Sequence, residues 1–128
     1  MSGTVDLVLV DTSVMVAYLS NDPAAVQALV GLSGRVSCVT EMELPGWPKL
    51  AAKDVMPLRA MLRALGVIEL SEPLKAVAIG IRRERLLKLP DAIIAATAIV
   101  LGVPLVTGDK RFQKVADRLE VRLLKLSR

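Results

Sequence analysis

Two hydrophobic rhythms alternate along the chain. "DLVLVD" (6–11), "RVSCV" (35–39), "VIEL" (67–70), "PLVT" (104–107) and "EVRLL" (120–124) are short, apolar and rich in Val and Leu, as strands buried on both faces require. Between them, residues 12–20, 22–32, 40–51, 53–66, 71–88, 90–102 and 109–119 read as helices. Local punctuation supports these boundaries. Asp22 is placed to cap a helix that has Pro23 at its first position. Val55, Leu58, Leu62 and Leu65 share one helix face, which Gly66 ends. Thr40-Glu41-Met42-Glu43 has the form of a capping box, and Pro45, Gly46 and Pro48 must bend or break the helix that follows.

Strands separated by helices predict an α/β fold with a parallel central sheet and helices on both faces. Ligands in such folds bind beyond the C-terminal ends of the strands. With no linker, repeat or low-complexity tract, residues 1–128 are expected to form a single domain.

Composition narrows the chemistry. The chain is 53% hydrophobic but only 2% aromatic, so its core must be built from Leu, Val, Ala and Ile. The longest apolar stretch, Ala92 to Val106, contains Thr97, Gly102 and Pro104 and falls short of the roughly 18 residues a membrane span needs. "MSGTVDLVLVD" lacks the basic start of a signal peptide. A lone cysteine, Cys38, rules out an internal disulfide and fits a buried strand position; a cytoplasmic location is expected. Histidine is absent, which excludes Ser-His-Asp triads, Cys-His pairs and His-based zinc sites. Seventeen basic residues against 13 acidic ones favour a polyanionic partner, and the bias grows if several acids gather in one site.

The acids do fall at the strand ends. Asp11 closes the first strand, Glu41 and Glu43 open the helix after the second, and Asp109 follows the fourth. Asp91 heads the apolar helix "PDAIIAATAIVLG". Each has an ordinary explanation as a helix cap or first-turn charge, and Glu41 is expected to face solvent. Several such caps converging on one sheet edge is a rarer arrangement. Clustered carboxylates repel unless a cation joins them, and oxygen-only ligands point to Mg²⁺ or Mn²⁺. Such a centre suits phosphoryl transfer.

"LVLVDTSVMVAYL", "VSCVTEMEL" and "LKLPDAIIAATAIVLGVPLVTGDKRF" resemble PIN-domain ribonucleases, and more closely the VapC toxins of bacterial and archaeal toxin–antitoxin pairs. The resemblance covers nearly the whole chain. It implies a PIN-like three-layer fold and a metal-dependent endoribonuclease that leaves a 5′-phosphate and a 3′-hydroxyl. It also implies a cognate antitoxin, a homodimer, and no membrane association. The family's four acidic metal positions map onto Asp11, Glu43, Asp91 and Asp109, with Asp11 and Asp91 as main ligands. Ser13 and Thr107 are expected to support them. Ser13 stands where the family often has Asn, Gly108 where a basic residue is frequent, and Arg111 where an acid is frequent. Lys110 and Arg111 therefore put positive charge beside the site, available for RNA phosphates.

Two other readings stay open. One is a catalytically weak PIN-like domain that binds RNA or protein without cleaving. The other is a receiver-like phosphoacceptor domain, in which Glu69 of "VIELSEP" stands where an Asp is needed. Arg82, Arg83, Arg85 and Lys88 read as a solvated helix face, with RNA contact the alternative; Lys114, Arg118, Arg122, Lys125 and Arg128 carry the same ambiguity. Few aromatics mean that RNA binding would be led by phosphates and sensitive to salt. The lone Trp47 is by default a core residue, but the surrounding prolines and the nearby Met42, Met56 and Met61 make an antitoxin-binding arm the competing assignment.

Overall fold

The computed structural model describes residues 6–127. The start of the segment 1–11 considered above for a signal peptide, and Arg128 of the basic C-terminal group, lie outside the described residues. Five parallel strands form the sheet: β1 (Asp6–Val10), β2 (Leu32–Ser37), β3 (Val67–Ile68), β4 (Leu105–Thr107) and β5 (Val121–Leu123), in the order β3-β2-β1-β4-β5. Six α-helices connect them: α1 (Thr12–Leu19), α2 (Pro23–Ala28), α3 (Cys38–Glu43), α4 (Ala52–Leu65), α5 (Glu72–Arg83) and α6 (Leu89–Leu101). The segment Lys110–Val115 is a 3₁₀ helix. No helix among the described residues is long and apolar enough to cross a membrane.

The central strand shows why both faces are covered. Side chains alternate along a strand. Leu9 packs into one cluster with Leu74, Ile81, Ile94 and Phe112 from α5, α6 and the 3₁₀ segment. Its neighbours Val8 and Val10 join Val14, Ala25 and Leu62 from α1, α2 and α4 on the opposite face. This is the expected helix–sheet–helix sandwich. The strand order reverses between β1 and β4: β2 and β3 extend one way from β1, while β4 and β5 extend the other. Such a reversal opens a crevice at the C-terminal strand ends.

Several expected boundaries move. The second helix stops at Ala28 rather than running to residue 32, because Gly31 takes φ +76 and turns the chain into β2. β2 ends at Ser37, whose hydroxyl accepts from the Val39 N–H at 3.0 Å and caps α3. Cys38 is therefore buried in a helix and not in a strand, and the capping box at Thr40 does not form. Helix α5 ends at Arg83 and not Lys88, since Arg85 at φ +59 reverses the chain and the Arg82 guanidinium donates to the Leu87 carbonyl at 2.8 Å. The expected 109–119 helix shrinks to the 3₁₀ segment, held by the buried Phe112 and Val115.

Candidate active site

Asp11 leaves β1 at the crevice in extended conformation and is buried. One carboxylate oxygen caps α1 by accepting from the Thr12 N–H at 2.8 Å. The other accepts from the Thr107 hydroxyl at 2.7 Å and the Ser13 hydroxyl at 2.8 Å. Ser13 in turn accepts from the Gly108 N–H at 3.1 Å, and Thr107 from the Asp109 N–H at 3.0 Å. Two hydroxyls thus stitch the end of β1 to the end of β4 and orient one carboxylate. A Cβ on Gly108 would lie 2.5 Å from the end of the Leu126 side chain, so a larger residue there would push aside the C-terminal tail.

Helix α3 presents two glutamates in opposite ways. Glu43 is exposed on the site side and accepts from the Thr12 hydroxyl at 2.7 Å. Because that hydroxyl has a single proton, the 2.8 Å contact between Thr12 and Thr40 must be donated by Thr40. Thr12 and Thr40 are not among the residues expected from sequence; their only signal is a hydroxyl directly after one strand-end acid and three residues before another. Glu41 departs from its expected solvent-facing position. It is only 9% exposed and is held by Arg63 at 3.1 Å and Arg59 at 3.4 Å, both from α4. Two positions apart on one helix, the glutamates point about 200° apart, so Glu41 turns toward α4 while Glu43 meets Thr12.

Asp91 lies in the first turn of α6, which opens at Leu89 with Lys88 as its cap residue. Asp109 caps the 3₁₀ segment, accepting from the Arg111 N–H at 2.9 Å. Arg111 then folds back. Its Nε lies 3.0 Å from each Asp109 oxygen, and its Nη2 lies 2.5 Å from Asp109 Oδ2 and 3.7 Å from Asp91 Oδ2. The two acids respond oppositely. Hydrogen bonding from Arg111 holds the Asp109 carboxyl below its ordinary range. Burial pushes Asp91 above its ordinary range, against the pull of Arg111 and with help from the negative fields of Asp11, Asp109 and Glu43. A raised carboxyl binds protons more tightly in the folded chain, so the Asp91 contribution to stability falls as pH rises through its titration. Burial and the neighbouring acids make its charged form costly, a cost that a cation would relieve.

The four acids therefore share an electrostatic field without forming a coordination shell. Among the described residues, no three Asp, Glu, Cys or His side chains are placed to hold one metal ion. The two facts are compatible. Coulombic influence extends several ångströms, whereas coordination needs oxygens about 2.0–2.6 Å from a common point. Three of the four carboxylates are instead hydrogen-bonded internally, Asp11 by hydroxyls, Glu43 by Thr12 and Asp109 by Arg111, while Asp91 has only the 3.7 Å ion pair with Arg111. The donor set, four carboxylates with hydroxyl support, fits a hard divalent cation in chemistry and in charge.

Beside Asp109 lies an open cleft of about 780 Å³ whose lining includes Ser13, Gly108, Lys110 and Lys125. Lys110 is exposed there, while Arg111 is engaged with the acids. Arg118 is paired with Glu84 and Asp117, and Arg122 with Glu120. Trp47 is 57% exposed in the turn after α3, against the default assignment to the core. Glu69 is exposed just past the edge strand β3, where no central phosphoacceptor could stand, which removes the receiver-like reading.

Comparison with known proteins agrees with this layout. The family model described as PIN domain matches residues 8–118. Among solved structures, a chain of a toxin-antitoxin complex from Klebsiella pneumoniae is 31% identical and superposes with a TM-score of 0.71, covering 82% of this chain and 89% of that one. A chain of FitAcB from Neisseria gonorrhoeae is 25% identical with a TM-score of 0.73, covering 89% of this chain and 95% of that one. A chain of VapBC2 from Rickettsia felis, in a structure bound to a promoter DNA fragment, is 18% identical with a TM-score of 0.75 and covers 93% and 99%. No curated protein sequence matches the chain significantly.

Proposed function

The chain belongs to the PIN domain family, and from that premise we propose that it is a divalent-metal-dependent endoribonuclease, the toxin of a toxin–antitoxin pair. The observation that carries this reading is the meeting of Asp11 and Asp109 at the β1/β4 crevice with Asp91 inside their common field. Asp11 and Asp91 are the main ligands for Mg²⁺ or Mn²⁺, and Glu43 and Asp109 complete the site and position the attacking water. A cation bound there supplies charge neutralisation on the phosphate and a water of lowered pKa. Ser13 and Thr107 hold the Asp11 carboxylate in one orientation. Lys110 and Arg111 meet the RNA backbone, making binding salt-sensitive. The chain acts as a single domain in the cytoplasm.

Two apolar faces support protein partners. A groove of about 600 Å³ between α1, α2 and α4 is lined by residues that include Tyr18, Val26, Val30 and Met61. Val30 is 68% exposed, and a face of this kind fits the apolar side of an antitoxin helix. We place the antitoxin in this groove, with the exposed Trp47 turn as the alternative arm. A second face, with Leu70, Ile79, Leu89 and Ile93 beside α5 and α6, is available for a second copy of the chain.

The decisive assay incubates purified, antitoxin-free protein and its Asp91→Asn variant with structured RNA in Mg²⁺, Mn²⁺ or EDTA. Cleavage that requires metal and disappears in the variant is expected. Equal cleavage by both proteins would overturn the site assignment. RNA retained without cleavage would favour a binding-only PIN domain, a reading that the engagement of Asp109 by Arg111 keeps in view.

A further inference from the structure

Among the described residues, Arg111 is the one cation paired with the site's acids, and its geometry is specific. Its side chain meets both oxygens of Asp109, while its own backbone N–H donates to the same carboxylate. The guanidinium also extends to within 3.7 Å of Asp91, so it lies between the two acids. These acids are largely enclosed, with side chains 24% and 20% exposed, whereas Arg111 is 56% exposed and has solvent to move into. Lys110, the adjacent basic residue, is not drawn into the acids and lines the neighbouring cleft. The sequence therefore places one positive charge at the cleft and one on the acids.

We infer that Arg111 is a built-in counter-ion that holds Asp91 and Asp109 in place of a metal and must be displaced before a divalent cation binds. This rests on the metal-site reading above and adds to it a control on metal affinity. A guanidinium and a dication cannot occupy the gap between the same two carboxylates, because their like charges repel at short range. Displacement frees the Asp109 oxygens for the cation. It also releases the Arg111 charge beside Lys110, at the cleft where an RNA phosphate would approach. One side chain then couples metal loading to the readiness of the substrate groove.

The test is Mn²⁺ titration of the full chain by calorimetry, without RNA, for the wild type and for Arg111→Gln, Arg111→Lys and Asp91→Asn. Arg111→Gln is expected to bind Mn²⁺ about five- to tenfold more tightly than wild type, the effect of one solvent-screened charge removed from the site. Arg111→Lys, which keeps the charge but loses the planar fork, is expected to fall between them. Asp91→Asn is expected to lose binding. Unchanged or weaker binding by Arg111→Gln, with binding still lost in Asp91→Asn, would overturn the counter-ion role and leave the metal site standing. No binding by wild type or Arg111→Gln would overturn both. A measurement on unmodified protein covers the case of a misfolded variant: the Arg111 Nε–H resonance should be protected from exchange in EDTA and lose that protection on addition of Mg²⁺. Protection that persists in saturating Mg²⁺ would overturn the proposal.

Discussion

Helices α4 and α6 differ by one residue in length but have different packing roles. Of the 13 residues of α6, Ala92, Ile94, Ala95, Ala96, Thr97 and Ala98 are buried. Of the 14 residues of α4, only Leu62 is buried, and Met56 and Met61 stand exposed. The small residues of α6 let it approach the sheet and α5 closely, giving a closed layer over Leu9 and Leu105. On the other face α4, α1 and α2 leave a groove open to solvent. The two faces of one sheet are thus packed to different depths. The α5–α6 layer supplies rigidity at the start of α6, where Asp91 sits, and keeps its apolar surface on the outside; the α1–α2–α4 layer leaves a groove that reaches the sheet.

Phe112→Ala should have the largest effect, because it empties a fully buried site in the α5–α6 layer. The expected loss is about 3–5 kcal/mol in chemical denaturation, and a loss under about 1 kcal/mol would show that this layer is not rigidly packed. Thr107→Val comes next. It removes a donor from the buried Asp11 carboxylate and is expected to cost about 1–3 kcal/mol. Metal affinity should fall as well, by about 10–100-fold in the same Mn²⁺ titration, the usual effect of removing a partner that orients a ligand.

Arg63→Ala probes the open side, where α4 is tied to α3 through Glu41. Arg63 is mostly exposed and Arg59 remains as a second partner, so the loss should be about 1 kcal/mol or less. Val30→Lys in the groove should change the stability of the free chain by no more than about 0.5 kcal/mol. The same substitution should abolish co-purification with the antitoxin, and a stable complex would place the partner elsewhere. Cys38 tests the seam between the layers without altering stability. Burial raises its thiol above the ordinary range, so less thiolate exists at any given pH. Alkylation of the folded protein should be slow at pH 8 and accelerate only at higher pH, while unfolded protein should react at once. Fast labelling of the folded chain would show that the seam opens.

All five strands were legible as apolar runs, and most helices were legible from their periodicity and caps. Asp22 caps α2, Gly66 ends α4, and the Val55–Leu58–Leu62–Leu65 face turns inward as its spacing requires. Misplaced ends arose where one local signal competed with another. Thr40 offered a good capping box, but Ser37 captured the helix start three residues earlier at the end of β2. Both glutamates then lie inside the helix, and two positions apart puts them about 200° around it, on nearly opposite sides.

Local sequence determined the elements, their alternation and the four carboxylates at their ends, because caps and periodicity act over a few residues. It also determined that neither histidine nor a disulfide takes part. Only the tertiary structure decided that β1 and β4 lie side by side, which brings Thr107 to Asp11 across 96 positions of chain. Only the tertiary structure, likewise, set Arg111 between Asp109 and Asp91. Electrostatic energy depends on distance in space, and in a parallel sheet that distance is set by strand order, which no short window of residues contains.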